Sequence, residues 1–406
     1  PHPRIRSEEG EMSSRRRHPH PLSPAAAPLD DDDLLSEILL RLPPQPSSLP
    51  RASLVCRRWR LLVSDPRFAR RFRLHHRRNP PLLGFLHIGF RTRELSFVPT
   101  LEPPNRVPPG RFSLKFDGVV LLGCRHGLVL VYHASWKQIL VWDPVTADQH
   151  RIAVPPEFAR DEGRPLISGS VLRAAGDAQH FHVALTVVDY EDKQHRQALA
   201  CVYSSETGVW GDVVLTPLPS KASVRTLVIT DKTAVLVRNS LYWLLLGNLD
   251  GLLEFDLERQ VLAVIRMPMD LVAKGSYDIC VMQGEDGGLG LFCVLQLDYI
   301  AQLWERKSDC HGVASWVLGR TIELDKLIPM NLAEKMPVVV LGFDEDNNVV
   351  CLWTPSVFFM VHLESLQSKK LFEANFIFGC HPSESVYTAE TDIGGGHDGA
   401  GLLQNT

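Results

Sequence analysis

Strand-like runs dominate the chain from residue 82 onward, and ten of these runs form five pairs. Within each pair the runs are rich in β-branched, aromatic and leucine residues, and a short polar or glycine-containing segment joins them, as is typical of a β-hairpin. The five predicted hairpins span residues 127–142, 199–214, 240–257, 290–304 and 338–353. So many consecutive hairpins predict a large all-β domain.

The hairpins repeat with a nearly constant period. An aromatic or imidazole ring ends each pattern, at Trp142, Tyr203, Phe255, Trp304 and His362. These rings are 61, 52, 49 and 58 residues apart, close to the roughly 50 residues of a kelch-type blade. Radial repetition leaves only short strand edges exposed. We therefore predict a β-propeller of about six blades over residues 79–389, with residues 82–116 as the first blade and a β-sandwich array as the alternative.

The segment from residue 29 to residue 78 has a helical pattern instead. Its first helix is predicted over residues 34–42, with an apolar stripe at i, i+3, i+4 and i+7 formed by Leu35, Ile38, Leu39 and Leu42. The four aspartates Asp30 to Asp33 provide an N-cap. Pro43 and Pro44 end the helix because neither can donate a backbone hydrogen bond.

Two more short helices are predicted in this segment. The second begins after Ser47-Ser48 and continues to Val63. Asp65-Pro66 ends it, and the third covers residues 67–75. Three helices in fewer than about 50 residues bury little core of their own. We expect such an all-α unit to be completed by a partner.

Parts of this unit resemble a known motif. Leu29, the run Leu34–Leu42 and the segment Ala52–Arg60, which contains Val55-Cys56-Arg57-Arg58-Trp59, resemble the F-box. F-boxes usually open with Leu-Pro, whereas Asp30 follows Leu29 here. The resemblance implies docking on a Skp-type adaptor of a cullin-RING ubiquitin ligase. The alternative is a helical hairpin packed on the chain's own C-terminal domain.

The β half is similar to the propeller-like, kelch or galactose-oxidase-like domains that follow F-boxes in large plant families. The similarity lies in residues 141–144, 203–210, 253–257 and 340–344, and the diglycine of true kelch blades is missing at most of these positions. Together the two resemblances cover residues 29–389. They imply a non-catalytic, substrate-recognition subunit of an SCF-type ligase, connected through the adaptor to cullin and RING subunits, whose β domain binds an unknown target protein.

The same resemblance assigns the adaptor-binding surface, shared with the unit's small core, to one set of residues: Leu29, Leu34, Leu35, Ile38, Leu39, Leu42, Leu54, Val55, Cys56 and Trp59. Each large apolar side chain buried there would contribute roughly 1.5 to 3 kcal/mol. Trp59 is expected to be a hot spot or an internal anchor. The residues that bind the target cannot be assigned from the sequence.

The charge of the chain argues against nucleic-acid and membrane partners. The formal net charge is −4, which favours neither class. Ten arginines lie between Arg51 and Arg78, against the single acid Asp65. A phosphate-binding patch would be one explanation for this cluster. We interpret it instead as a solvated helix face, because no aromatic stacking residues are interleaved and no recognition fold follows.

No catalytic or cofactor-binding motif is found, so we expect no enzyme activity, no cofactor and no metal. His180 and His182 could lie on one strand face and bind zinc or copper, but no third ligand has a recognised spacing. The four aspartates lack the spacing of a calcium loop. Two other functions stay open: a propeller scaffold that binds proteins without an adaptor, and a propeller metal oxidase.

The cysteines and the chain termini bear on localisation. Eight cysteines are scattered without a Cys-x-x-Cys pair, as expected in the reducing environment of the cytosol or nucleus. No apolar run reaches the roughly 18 residues of a membrane span. Residues 1–28 are expected to be disordered and residues 390–406 to be a flexible tail. The sequence begins at Pro1, and Met12 is a conceivable start.

Overall fold

The computed structural model describes most of the chain, in two compact units of residues 1–42 and 43–406. The described residues are 31–89, 94–112, 114, 118–159, 167–173, 180–189, 196–218, 227–228, 232–246, 251–272, 277–296, 298–329, 337–374 and 377–388. Leu29 and the tails predicted at residues 1–28 and 390–406 lie outside these ranges. Among the described residues, no helix has the length and apolar composition needed to cross a membrane.

Helix α1 (Asp32–Leu40) is the helix of the first unit. The Asp31 carboxylate caps it, accepting hydrogen bonds from the backbone N–H of Asp33 at 2.8 Å and of Leu34 at 3.3 Å. The buried face consists of Leu35, Ser36, Leu39 and Leu40. The predicted helix end at Leu42 is wrong, since that residue lies beyond the helix, and Ile38 of the predicted stripe is partly exposed.

Three further helices precede the β-strands: α2 (Ser48–Ser53), α3 (Arg57–Val63) and α4 (Pro66–His76). The single second helix predicted from residue 48 to residue 63 is thus wrong. It is interrupted after Ser53, and Cys56 has an extended backbone with φ of −161°. Helix α4 begins one residue before its predicted start, with Pro66 in its first turn and the Asp65 carboxylate accepting from the Arg67 N–H at 2.8 Å.

The rest of the described chain forms six antiparallel sheets, the blades of a β-propeller. Blade 1 contains β1 (Leu82–Gly89), β2 (Leu95–Pro99) and the last strand, β25 (Ile377–Glu384). Blade 2 contains β3 (Val119–Arg125), β4 (Leu128–His133), β5 (Gln138–Trp142) and β6 (Gln149–Ala153). Blade 3 contains β7 (Ser168–Arg173), β8 (Phe181–Asp189), β9 (Gln197–Ser204), β10 (Val209–Trp210) and β11 (Val214–Pro217).

The remaining three blades follow in chain order. Blade 4 contains β12 (Leu227–Val228), β13 (Val235–Val237), β14 (Ser240–Leu246), β15 (Gly251–Asp256) and β16 (Val261–Arg266). After the short helix α5 (Met269–Val272), blade 5 contains β17 (Tyr277–Gln283), β18 (Leu289–Leu295), β19 (Ile300–Ser308) and β20 (Ala314–Glu323). Blade 6 contains β21 (Val339–Asp344), β22 (Val349–Thr354), β23 (Ser356–His362) and β24 (Gln367–Ala374).

The predicted repeat is confirmed, because its five rings lie on equivalent strands of successive blades. The five rings at residues 142, 203, 255, 304 and 362 lie in β5, β9, β15, β19 and β23. Each of these is the third strand of its blade in pairing order, β12 and β13 both being paired with β14 in blade 4. The near-constant spacing of these rings in the sequence is therefore the period of the blades. The predicted count of about six blades and the all-β class of the domain are confirmed as well.

The first blade differs from its prediction. Residues 82–116 were expected to form it alone, but its inner strand is β25, which pairs antiparallel with β1 and places Leu86 opposite His381. Strand β25 also contacts the inner strands of both neighbouring blades, β3 and β21. The C-terminal strand thus closes the ring. Local patterns could not reveal this pairing because its partners are almost 300 residues apart.

Apolar side chains fill every interface between neighbouring blades. Six clusters of buried side chains each join two adjacent sheets around the ring. Six of the eight cysteines are buried, namely Cys124, Cys201, Cys280, Cys293, Cys351 and Cys380, and all eight are free thiols. Those six confirm that cysteine acts here as a small apolar side chain. Cys56 and Cys310 are exposed.

Candidate binding sites

The predicted adaptor-binding residues on helix α1 fall into two groups, one exposed and one buried. Leu34 and Ile38 are one helical turn apart, and 42% and 37% of their surfaces are exposed. Leu35 and Leu39 are completely buried, so their side chains belong to a core. Leu34 and Ile38 are therefore the α1 side chains that a partner could cover.

The turn between α2 and α3 exposes further apolar side chains. Leu54 is 72% exposed and Val55 is 61% exposed. Cys56 is exposed too, and Trp59 is half-buried. The interrupted helix explains this exposure, because Leu54 and Val55 lie in the turn instead of on a packed helical face. Leu42 is half-buried, Leu29 lies outside the described residues, and adaptor contact by any of these residues stays a prediction.

Sequence reasoning missed one member of this group. Leu61 on α3 is 64% exposed, whereas Val63, two residues later, is buried. The apolar run Leu61-Leu62-Val63 covers more than one face of a helix, so part of it must point away from the core. This apolar run was the sequence signal that could have identified Leu61 as exposed. We call Leu54, Val55, Cys56 and Leu61 the α2–α3 patch.

A second candidate site lies where α4 meets the propeller, within the unit of residues 43–406. It is a cavity of about 960 Å³, at the upper end of the size of typical ligand pockets. Arg70, Arg73 and Leu74 line it from one face of α4, and Arg77, which caps the C-terminal end of the helix, continues that face. Arg78 follows just beyond the helix. We call this space the α4 cavity.

The opposite walls of the α4 cavity come from blades 1, 2, 3 and 6. Acidic, basic and apolar side chains are mixed there: Asp143, Asp148, Asp346, Glu384, Arg173, His126, His150, Leu128, Val141, Phe181 and Val386. Arg173 Nη2 pairs with Asp143 Oδ2 at 3.3 Å. Burial lowers the pKa of His126 to about 4, so this imidazole is neutral at pH 7.

The arginines on the helix side differ in their contacts. Arg73 donates from Nη1 to Thr388 Oγ1 at 2.9 Å. Burial lowers the pKa of the Arg73 guanidinium, and the carboxylates of Asp143 and Asp148 act in the opposite direction. Arg70, Arg77 and Arg78, by contrast, form no hydrogen bond or ion pair from their side chains to any described residue, although all three line the cavity.

Buried charged residues connect blades at the propeller axis. Arg125, at the end of β3, pairs through both terminal nitrogens with the Glu345 carboxylate, at 2.5 and 2.7 Å. It also donates to the Ala234 carbonyl at 2.8 Å, and Glu345 accepts from the Leu236 N–H at 2.8 Å. Burial acts to lower the pKa of Arg125, but Glu345 raises it, and the result lies above the ordinary value. This pair joins blades 2, 4 and 6.

Other axial polar groups also form contacts between blades. Lys232 lies 2.5 Å from Asp278 Oδ1, and Asp278 Oδ2 accepts from the Val340 N–H at 2.6 Å. His381 Nδ1 lies 2.8 Å from Thr233 Oγ1, and burial lowers the pKa of His381 to about 4. Because these groups satisfy one another, their evident role is to hold blades together.

Glu384, on the wall of the α4 cavity, interacts with the carboxyl group of Asp344. Glu384 accepts from the side-chain amide of Asn347 at 2.9 Å. Burial, and then the neighbouring Asp344, raise the pKa of Glu384 far above its ordinary value. Glu384 therefore holds its proton more strongly than an ordinary glutamate does. The other acidic residues on that wall are Asp143, Asp148 and Asp346.

The possible metal sites named from the sequence gain no support. Nowhere in the described part of the chain do three or more histidine, cysteine, aspartate or glutamate side chains come together in a way that could hold a metal ion. His180 and His182 thus acquire no third ligand among those residues. Of the four aspartates at the start of α1, Asp31 forms the helix cap.

Comparison with known proteins gives two family matches. Residues 32–75 match the F-box-like family, and residues 120–387, more than half of the chain, match the family described as F-box protein AT5G49610-like, beta-propeller. No curated protein matches the chain in sequence.

Similar solved structures include AztD from Citrobacter koseri and an aldose sugar dehydrogenase from Streptomyces coelicolor in its PQQ-bound form. Two AztD structures, one of them the apo form, have TM-scores of 0.38 and 0.37 at 8% identity; both cover 75% of this chain, and 87% and 90% of theirs. The dehydrogenase has a TM-score of 0.35 at 12% identity, covering 70% of this chain and 92% of its own. Likeness at this level carries no information about activity.

Proposed function

The chain belongs to the family of F-box proteins with an AT5G49610-like β-propeller, and from this premise we propose that it is the substrate-recognition subunit of an SCF-type cullin-RING ubiquitin ligase. An F-box-like region followed by a propeller is the combination expected of an F-box substrate-recognition protein. F-box domains generally bind Skp-type adaptors. In the proposed complex the adaptor connects the chain to cullin and RING subunits.

The observation that carries this proposal is the α2–α3 patch. It lies within residues 32–75, the part of the chain that matches the F-box-like family. Leu54, Val55 and Leu61 are each more than half exposed, which costs solvation free energy in an uncomplexed chain. Several exposed apolar side chains within eight residues of the chain are typical of a surface that a partner covers. We propose that a Skp-type adaptor covers it.

In this proposal the chain itself catalyses no reaction. Its propeller holds the target protein while other subunits bring the activated ubiquitin, and the contribution of the chain is to bring the two together. The six buried free thiols support a reducing compartment. We accordingly propose that the protein acts in the cytosol or nucleus.

The adaptor contact can be tested with the double variant Leu54→Asp, Val55→Asp. Both side chains are exposed, so the variant should fold. Two apolar contacts of roughly 1.5 to 3 kcal/mol each correspond to at least about a hundredfold loss of affinity for the adaptor. Affinity is measured by isothermal titration of purified Skp-type adaptor into the full chain.

The matched control for this test is Val209→Asp, Leu215→Asp. These two side chains, on β10 and β11 of blade 3, are also exposed. The control variant should bind the adaptor like the unaltered chain. Undiminished binding by a folded Leu54→Asp, Val55→Asp variant would contradict the proposal.

A further inference from the structure

The α4 cavity is lined by none of the residues of the α2–α3 patch. One face of α4 supplies Arg70, Arg73 and Leu74, Arg77 follows at the end of the helix, and the propeller supplies the opposite walls. Both sides lie in the compact unit of residues 43–406. A volume of about 960 Å³ is enough for a ligand of several functional groups.

The basic side chains of the α4 cavity differ in whether an acidic side chain is already paired with them. On the propeller side, Arg173 is already paired with Asp143. On the helix side, the guanidinium groups of Arg70, Arg77 and Arg78 have no hydrogen-bonding or ion-pair partner among the described residues. Guanidinium groups bind carboxylate and phosphate groups through paired N–H donors. The cavity can therefore accept an anionic ligand, which would pair with these guanidinium groups.

The spacing of these arginines indicates which kind of anion fits. Arg70 lies on α4 and Arg77 immediately follows the helix, so their backbones are about 10 Å apart along the helix axis. Two anionic groups at a similar spacing match this row better than a single phosphate or carboxylate does. An extended peptide rises about 3.3 Å per residue, so carboxylates about three residues apart would reach both guanidinium groups.

The other lining groups favour a peptide over a nucleic acid. Asp143, Asp148 and Asp346 line the same cavity, so it suits a ligand whose negative charges are interrupted by neutral groups better than one with a phosphate on every unit. Leu74 lies between Arg73 and Arg77 on the helix face and is partly exposed. It offers an apolar contact in the middle of the basic row. A peptide with acidic residues on both sides of an apolar residue matches this arrangement.

We propose that the α4 cavity binds an acidic segment of a polypeptide, with carboxylates placed on both sides of an apolar side chain. That this polypeptide is the ubiquitination target rests on the proposed function. Binding of the peptide itself depends only on the cavity. Arg70, Arg77 and Arg78 pair with its carboxylates, and Leu74 contacts its apolar residue.

The test uses the full chain and a fluorescein-labelled peptide, Gly-Asp-Glu-Leu-Asp-Glu-Gly, followed by fluorescence anisotropy. The variant Arg70→Gln, Arg77→Gln, Arg78→Gln should bind this peptide at least about tenfold more weakly, because three charge-assisted contacts are lost. The matched control is Arg51→Gln, Arg67→Gln, Arg259→Gln, which removes three exposed arginines outside the cavity with the same change in net charge. This control should bind the peptide like the unaltered chain.

Three results would overturn the inference. They are equal peptide binding by the unaltered chain and the cavity variant, equal binding of the neutral peptide Gly-Asn-Gln-Leu-Asn-Gln-Gly, and tighter binding of a single-stranded oligothymidine of similar length. Adaptor affinity is measured on the same variants and should be unchanged. If only the peptide-binding test fails, the ligase proposal is unaffected. If only the adaptor-binding test fails, the cavity proposal is unaffected.

Discussion

The ion pair of Arg125 and Glu345 lies at the propeller axis, where water has little access. Two charges cost free energy when they leave water, and only a close, fully hydrogen-bonded arrangement compensates for it. Here the Glu345 carboxylate accepts hydrogen bonds from both terminal guanidinium nitrogens of Arg125 and from the backbone N–H of Leu236. The pair is therefore sensitive to the loss of either member.

We expect Arg125→Met to lower the free energy of unfolding by about 3 to 5 kcal/mol, because it leaves Glu345 buried without its partner. The double variant Arg125→Met, Glu345→Met should lose less than the sum of the two single variants. Urea unfolding followed by tryptophan fluorescence measures these differences. Additive losses would contradict a coupled pair.

His381 gives the stability of the propeller a dependence on pH. Its pKa is about 4 in the folded chain, because of burial, against an ordinary value of 6.5. Between these two values the unfolded chain binds the extra proton and the folded chain does not, so stability falls as pH falls. The contribution of His381 is complete above pH 6.5 and is lost by up to about 1.4 kcal/mol per pH unit on the way to pH 4.

We therefore expect the unaltered chain to lose more stability between pH 6.5 and pH 4.5 than His381→Asn does. The raised pKa of Glu384 has the opposite effect on the pH dependence of stability, since that group binds protons in the folded chain; it is common to both proteins and cancels in the difference. The measurement is the urea midpoint against pH. His311→Asn, at an exposed position, is the control and should follow the unaltered chain.

Residue burial shows where sequence reasoning succeeds and where it fails. The heptad-like spacing correctly placed Leu35 and Leu39 in a core, since both are fully buried. It could not distinguish them from Ile38, because the choice between adjoining helix faces depends on neighbours that are distant in sequence. The arginines of α4 illustrate the same limit. The sequence predicted that these arginines form a solvated helix face, whereas Arg73 is partly buried and lines a cavity.

At the scale of elements, the hairpins were the most predictable feature. Their turns and strands are close in sequence, so β4 and β5 or β14 and β15 are visible in a local pattern. Two element-level errors have physical causes. The extended backbone at Cys56 divides one predicted helix into α2 and α3, and β25 joins β1 across the whole propeller.

Closure by β25 gives a prediction at this scale. A chain truncated after Glu373 lacks the inner strand of blade 1 and leaves β1, β3 and β21 without a neighbour at the axis. We expect this chain to lose cooperative unfolding and to be cut rapidly by protease. A chain truncated after Thr388, which keeps β25, is the control and should unfold as the full chain does. Cooperative unfolding of the shorter chain would refute a closing role for β25.

At the scale of the whole molecule, the arrangement of helices and blades separates two proposed tasks. The α2–α3 patch is apolar and suits a permanent protein contact, whereas the α4 cavity is charged and suits an exchangeable one. The period of the rings made the blade number predictable from sequence. The α4 cavity was not predictable, since its walls come from α4 and four different blades, and nothing in the sequence indicates that these segments meet.

The closure of blade 1 also determines when the ring can be completed during synthesis. Strands β1 and β2 leave the ribosome early, and β25 follows almost 300 residues later, a delay of roughly 15 to 60 s at ordinary translation rates. Through that interval the edge of β1 has no hydrogen-bonding partner on one side. A nascent chain of this design therefore passes through an obligatory open ring, and chaperones that cover strand edges would act on it then.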